Sequence, residues 1–124
     1  MGAYPSADLL YGIDLGPDKD RERPGWFTEE LEEEHGSETD VLDRLLRGVK
    51  GVGHLRYGDS YSGYRSLALC TQSVGASAYT PEPVDPNLFA STAGDDEILR
   101  AAWAVLYPGQ LMPEPGWFMV VSYG

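Results

Sequence analysis

Residues 64–77 read YRSLALCTQSVGAS, and this stretch decides the fold class. In an extended chain Leu67, Leu69 and Thr71 fall on one face and Ala68 and Cys70 on the other, because side chains alternate across a strand. Neither face is charged from Ser66 to Ala76, so the strand is expected to be covered on both sides, inside a sheet, with an interruption at Gly75. Upstream, VGHLRY at 52–57 reads as a shorter strand, with a turn opening at Gly58-Asp59-Ser60. Downstream, GWFMVVSY at 116–123 is apolar on both faces. Trp117, Met119 and Val121 are expected on one side and Phe118 and Val120 on the other, all buried in an interior strand.

Two helices flank these strands. Val41, Leu42, Leu45, Leu46 and Val49 recur at helical spacing over 38–49, with Ser37 and Asp40 or Thr39 itself available as a cap. Ile98, Leu99, Ala102, Trp103 and Leu106 do the same over 95–107, where Thr92 or Asp95 can cap and Pro108-Gly109 stops the helix. A third, short acidic helix is expected over 29–35, capped by Thr28 and ended by Gly36. Residues 80–95 are Pro-rich and read as a surface loop pinned by Leu88 and Phe89. The tetrapeptide at 24–27, PGWF, recurs at 115–118, too short an echo to establish a duplicated unit. The expected architecture is α+β: a compact single domain with two main helices on one face of a mostly antiparallel sheet of three to five strands. Residues 1–23 are read as an N-terminal arm and charged connection, with Leu9, Leu10, Tyr11 and Ile13 buried if the segment docks as an extended arm or short strand, and 24–124 as the core.

Charge bounds the partners. The chain carries 20 acidic against 9 basic residues, a net charge of −11. Residues 1–40 hold twelve acids against three bases, and 81–124 six against one, whereas 41–80 hold two against five. Such a field repels phosphate backbones and anionic membranes and attracts basic surfaces. Direct nucleic-acid binding is therefore disfavoured. The densest run, Glu29-Glu30-Leu31-Glu32-Glu33-Glu34, is the candidate contact, with Trp26 and Phe27 as anchors. The plainer alternative is a solvated face. Arg44, Arg47, Lys50, Arg56 and Arg65, interleaved with Tyr57, Tyr61 and Tyr64, are the one basic concentration, expected to pair with the chain's own acids, with a protein-binding surface and a nucleic-acid surface as the alternatives.

Catalytic machinery is sparse. Cys70 is the only cysteine, so an intramolecular disulfide and a Cys-based zinc site are excluded, and its apolar run predicts a buried thiol. Cys70 with His54 and Asp59 is the one nucleophilic arrangement the composition permits. No phosphate loop or dinucleotide motif is present in the glycines at 48, 51, 53 and 58, and helix-start acids explain Asp95-Asp96-Glu97 without a metal. No catalytic residue, metal or cofactor is assigned. No stretch has the length of a membrane span, and the start lacks the pattern of a signal peptide, which points to a cytoplasmic protein.

The segment AYPSADLLYGIDLG at 3–16 resembles the openings of short uncharacterised accessory proteins of actinobacterial tailed phages. The resemblance implies expression in a bacterial host cytoplasm and brings no catalytic residues with it. The expectation is an acidic protein-binding module that inhibits a host defence or DNA-handling protein by occupying its basic surface. The alternatives are a structural or assembly protein that oligomerises through a sheet edge or the N-terminal arm, and a small hydrolase or transferase using His54 and Cys70.

Overall fold

The computed structural model describes residues 5–17, 24–59, 64–77, 81–90 and 92–123. Residues 18–23, read as part of the charged connection, and residues 60–63, with Tyr61 and the rest of the expected turn, lie outside them. Among the described residues four strands and three helices follow in the order β1 (Pro5–Pro17), α1 (Glu29–His35), α2 (Glu38–Leu45), β2 (Gly53–Asp59), β3 (Tyr64–Ser77), α3 (Ala93–Leu106) and β4 (Gly116–Tyr123). A single 3-10 turn, Pro86–Phe89, precedes α3.

The segment read as an N-terminal arm is the centre of the sheet. β1 pairs antiparallel with β3 from Ser6↔Ser77 to Pro17↔Ser66, and on its other side with β4 from Pro5↔Tyr123 to Gly12↔Gly116. Leu10, Tyr11 and Ile13 are buried, which is why the strand docks despite Pro5, Gly12 and Gly16. β2 pairs antiparallel with β3, and a two-residue parallel contact, Gly58↔Ser122 and Asp59↔Tyr123, closes the order β1-β3-β2-β4 into a barrel. Two register shifts against β3, between Tyr11 and Gly12 and between Asp14 and Gly16, leave Thr71 and Leu15 unpaired. Bulges of this kind sharpen the twist a small closed sheet needs. At the first of them the two backbones touch: a Cβ on Gly12 would lie 1.8 Å from the Leu69 carbonyl oxygen. β3 runs through Gly75 without a break, and that glycine leaves room for the Asp8 carboxylate, 2.6 Å from where a Cβ would stand.

The barrel is narrow. Leu10, Ala68, Cys70 and Val120 fill it, with Leu55 and Tyr57 packed against them. The larger core lies outside, where Tyr11, Ile13, Leu67 and Leu69 meet Val41, Leu42 and Leu46 after Ser37, and Leu99, Ala102 and Leu106 of α3. β3 is thus covered on both faces over 67–70, as its pattern predicts, while Ser73, Gly75 and Ser77 beyond are exposed.

β4 departs from expectation. Its alternation holds, but only Val120 is buried, whereas Met119 is 73 % and Val121 46 % exposed. Trp117 pairs with Tyr11 beneath the helical layer, and Met119 and Val121 pair with Leu9 and Ala7 further along the same face. The apolar run there reflects an uncovered face, not a second buried one.

α2 begins with a capping box: the Asp40 amide donates to Ser37 Oγ and the Ser37 amide to Asp40 Oδ2. The Ser37 hydroxyl also donates to Asp40 Oδ2 (2.8 Å), and that bond, then the one from the Ser37 amide, lowers the pKa of the Asp40 carboxyl. The helix ends at Leu45, shorter than expected, and turns carry the chain to Gly51 at φ 89°. α3 starts at Ala93 without a side-chain cap. Its first-turn acids face the sheet instead: Asp96 accepts from the Tyr11 hydroxyl and Asp95 from Gln72 Nε2 (2.8 Å). These bonds tie the helix start to β1 and β3. Among the described residues no helix is long and apolar enough to cross a membrane.

Candidate functional site

α1 is a seven-residue helix with no buried residue. Thr28 caps it, its Oγ1 accepting from the Leu31 amide (3.2 Å), and Gly36, at φ 108°, returns its amide to the Glu32 carbonyl. Glu29, Glu30, Glu32, Glu33 and Glu34 are all exposed, while Leu31 is half-buried against the core. By helical geometry Glu30 and Glu34 flank Leu31 on one side and Glu32 on the other, whereas Glu29 and Glu33 point away.

Trp26 and Phe27, expected as contact anchors, are core residues, 6 % and 8 % exposed. A turn closed by the Phe27 amide on the Pro24 carbonyl (3.0 Å) drives both rings inward, with centroids 6.1 Å apart. They fasten α1 to the fold and leave the contact set to the glutamates.

What the residue pattern did not reveal is a groove beside α1. Trp26, Leu31, Leu45, Leu106, Tyr107 and Pro108 line a cavity of about 470 Å³ between α1, α2 and the end of α3. Its rear wall is braced: Trp103 stacks on Tyr107 at 4.2 Å and donates from Nε1 to the Gln110 carbonyl (3.0 Å). Trp26 Nε1–H, buried in the floor, has no acceptor among the described residues. The only signal in the sequence was an apolar Leu31 within a run of glutamates.

The basic concentration pairs in part with α2. His54 Nε2 lies 2.7 Å from Asp43, and Arg56 3.5 Å from Glu38. Both β2 residues are half-buried rather than solvent-facing. Arg44, Arg47, Lys50 and Arg65 are exposed.

His54 and Cys70 are not brought together. His54 pairs with Leu69 on the face beneath α2, while Cys70 points into the barrel beside Leu10 and Ala68. Burial, then the nearby Asp8 carboxylate, push the Cys70 thiol up. A second perturbed group packs against the barrel's filling: burial and the exposed Asp14 carboxylate it donates to (2.7 Å) push Tyr57 up to about 12.

Tyr57 sets an alkaline limit. Its folded pKa exceeds the value near 10 of an unfolded tyrosine, so its contribution is whole below about pH 10 and disappears as pH climbs to about 12. Thermal melts from pH 8 to 12 should therefore show a fall above pH 10. Tyr57→Phe should flatten that fall and cost about 1 kcal/mol at neutral pH for the lost hydrogen bond. Tyr11, raised by burial and Asp96, should leave a residual slope.

With this geometry in hand, no family, curated protein or solved structure matches the chain.

Proposed function

We propose that this chain is a small acidic protein-binding module that acts by laying α1 on a basic surface of another protein. The observation that supports it is five exposed glutamates on one short helix: Glu29, Glu30 and Glu32 suit its positive end, but the run goes on beyond what the helix gains from. Glu29 with Glu33 and Glu30 with Glu34 are like-charge pairs one turn apart, each costing about 0.2–0.5 kcal/mol. Glu33 and Glu34 also sit near the helix's negative end, where acids are disfavoured. The helix is held instead by Thr28, Leu31 and the turn carrying Trp26 and Phe27. On the resemblance of residues 3–16, the partner is a cytoplasmic host protein of a phage-infected bacterium, one serving defence or handling DNA. α1 would inhibit it by covering a surface otherwise used for phosphate.

Changing Glu30, Glu32, Glu33 and Glu34 together to Gln should leave the melting temperature nearly unchanged or slightly raised. It should slow association with a partner captured from bacterial lysate at low salt by about tenfold or more, with the wild-type advantage lost at high salt. Unchanged association kinetics at low salt would remove the electrostatic reading.

The exposed row on β4 favours a second reading, self-association. Met119, Val121 and Tyr123 continue the face of Trp117 past the helical layer. If two copies meet there, sedimentation should show a concentration-dependent dimer that Met119→Lys abolishes.

A further inference from the structure

We propose that the groove between α1, α2 and the end of α3 receives an apolar side chain from a basic segment of the partner, with Glu30, Glu32 and Glu34 meeting the lysines or arginines around it. This rests on the acidic-surface reading above and adds a hole to it. The groove has the size of a small-ligand cleft, about 470 Å³, and Trp26, Leu31, Leu45, Leu106 and Pro108 form the apolar part of its mixed lining. Leu31 belongs to both features, since it lines the groove and stands between the glutamates. Any segment that seats an apolar group against Leu31 is thereby held within reach of carboxylates on both sides of that residue.

Charge selects among occupants. The glutamates on either side of Leu31 repel anionic lipid and nucleic acid and attract cationic residues. The neighbouring α2 adds no compensating cation to the lining, and the α3 side contributes Val105, Tyr107 and Gln110. The occupant that fits is therefore an apolar residue flanked by Lys or Arg on a protein segment. Trp26 supplies a second, independent pointer. Its indole is 6 % exposed, and its Nε1–H has no acceptor among the described residues, an arrangement buried donors rarely keep. Trp26 is thus the floor of a socket, where the sequence pattern suggested a protruding anchor.

The test uses the whole chain and two acetylated, amidated peptides of equal length and charge, KKLKKLKK and KKGKKGKK. The leucine peptide should bind about tenfold more tightly, the effect of burying one large aliphatic side chain, and should shift the Trp26 indole N–H resonance. Val105→Gln, at the exposed rim, should abolish that preference and leave the glycine peptide's affinity unchanged. Equal affinities for the two peptides, or a leucine preference that survives Val105→Gln with the Trp26 resonance unmoved, would overturn the groove. A Trp26 shift that grows with protein concentration alone would assign the groove to a second copy and overturn the proposal too. Failure of the underlying reading looks different: binding of the glycine peptide would then be the same in wild type and in the variant with Glu30, Glu32, Glu33 and Glu34 changed to Gln.

Discussion

Gly12→Ala is expected to leave the chain without a cooperative thermal transition. The added methyl would stand 1.8 Å from the Leu69 carbonyl oxygen and 2.9 Å from Cys70 Cα, both backbone atoms. A side chain can rotate out of such a clash, but a strand paired on both sides cannot, and β1 is so paired at this residue, to Cys70 and to Gly116. Overpacking of side chains costs about 1–3 kcal/mol. Separating two strand backbones at a bulge should exceed that and consume most of the roughly 5–15 kcal/mol a domain holds. The same substitution at Gly94, in the first turn of α3 with nothing within 4 Å, should be neutral or stabilise by up to about 1 kcal/mol. Circular-dichroism melts of the two variants check the pair. A Gly12→Ala protein that melts near the wild-type temperature would show that the β1–β3 bulge does not hold the strands this closely.

The second large effect is removal of β4. Truncation after Pro115 takes away eight residues paired with β1, the Val120 side chain that helps fill the barrel, and the contact that closes it against β2. It also removes Trp117, whose ring lies 5.2 Å from Tyr11 and 4.7 Å from Phe89. β1 would become an open edge, with a row of unpaired amides and carbonyls. The truncated chain should show no cooperative unfolding and should bind a hydrophobic dye. Within β4 the effects should be graded by position. Met119→Gln, on the exposed face, should change stability by less than about 0.5 kcal/mol. Trp117→Ala should cost less than the roughly 3–5 kcal/mol of a fully buried tryptophan, because its ring is only half-buried. A truncated protein that melts cooperatively near the full-length temperature would make β4 an appendage.

These two strands show where the residue pattern was sufficient and where it was not. β3 carries no charge on either face through its middle and is buried on both over residues 67–70. β4 looks the same by composition, yet most of its apolar residues meet solvent. The difference lies in what stands opposite. β3 lies between β1 and β2 under the helices, whereas β4 runs out past the helical layer along β1. Hydrophobic alternation reports which residues share a face, and the position of the covering layer decides whether that face is dry.

The candidate site divides in the same way. The α1 glutamates, the Thr28 cap and the Gly36 stop were legible because helix ends and charge runs are local. The groove was not, since its walls come from residues 26, 31, 45 and 105–110, brought together only when α3 packs against α1 and α2. The two PGWF tetrapeptides make the point most directly. At 24–27 the four residues form a turn that buries both aromatic rings. At 115–118 they enter a strand that leaves Trp117 half-buried and Phe118 37 % exposed.

By itself the sequence determined the α+β class, the positions of all three helices and the later three strands, the buried thiol of Cys70 and the exposed acidic run. Each follows from periodicity, capping residues or charge within a dozen neighbouring positions. Only the tertiary structure decided that residues 5–17 are the central strand and that the sheet closes on itself. It alone set His54 and Cys70 on opposite faces and turned Trp26 from a contact anchor into the floor of a groove. Those outcomes depend on which strand finds which partner across the chain, and on how closely Gly12 lets two backbones approach. Such long-range choices are made by packing free energy summed over the whole core, which no local stretch of residues encodes.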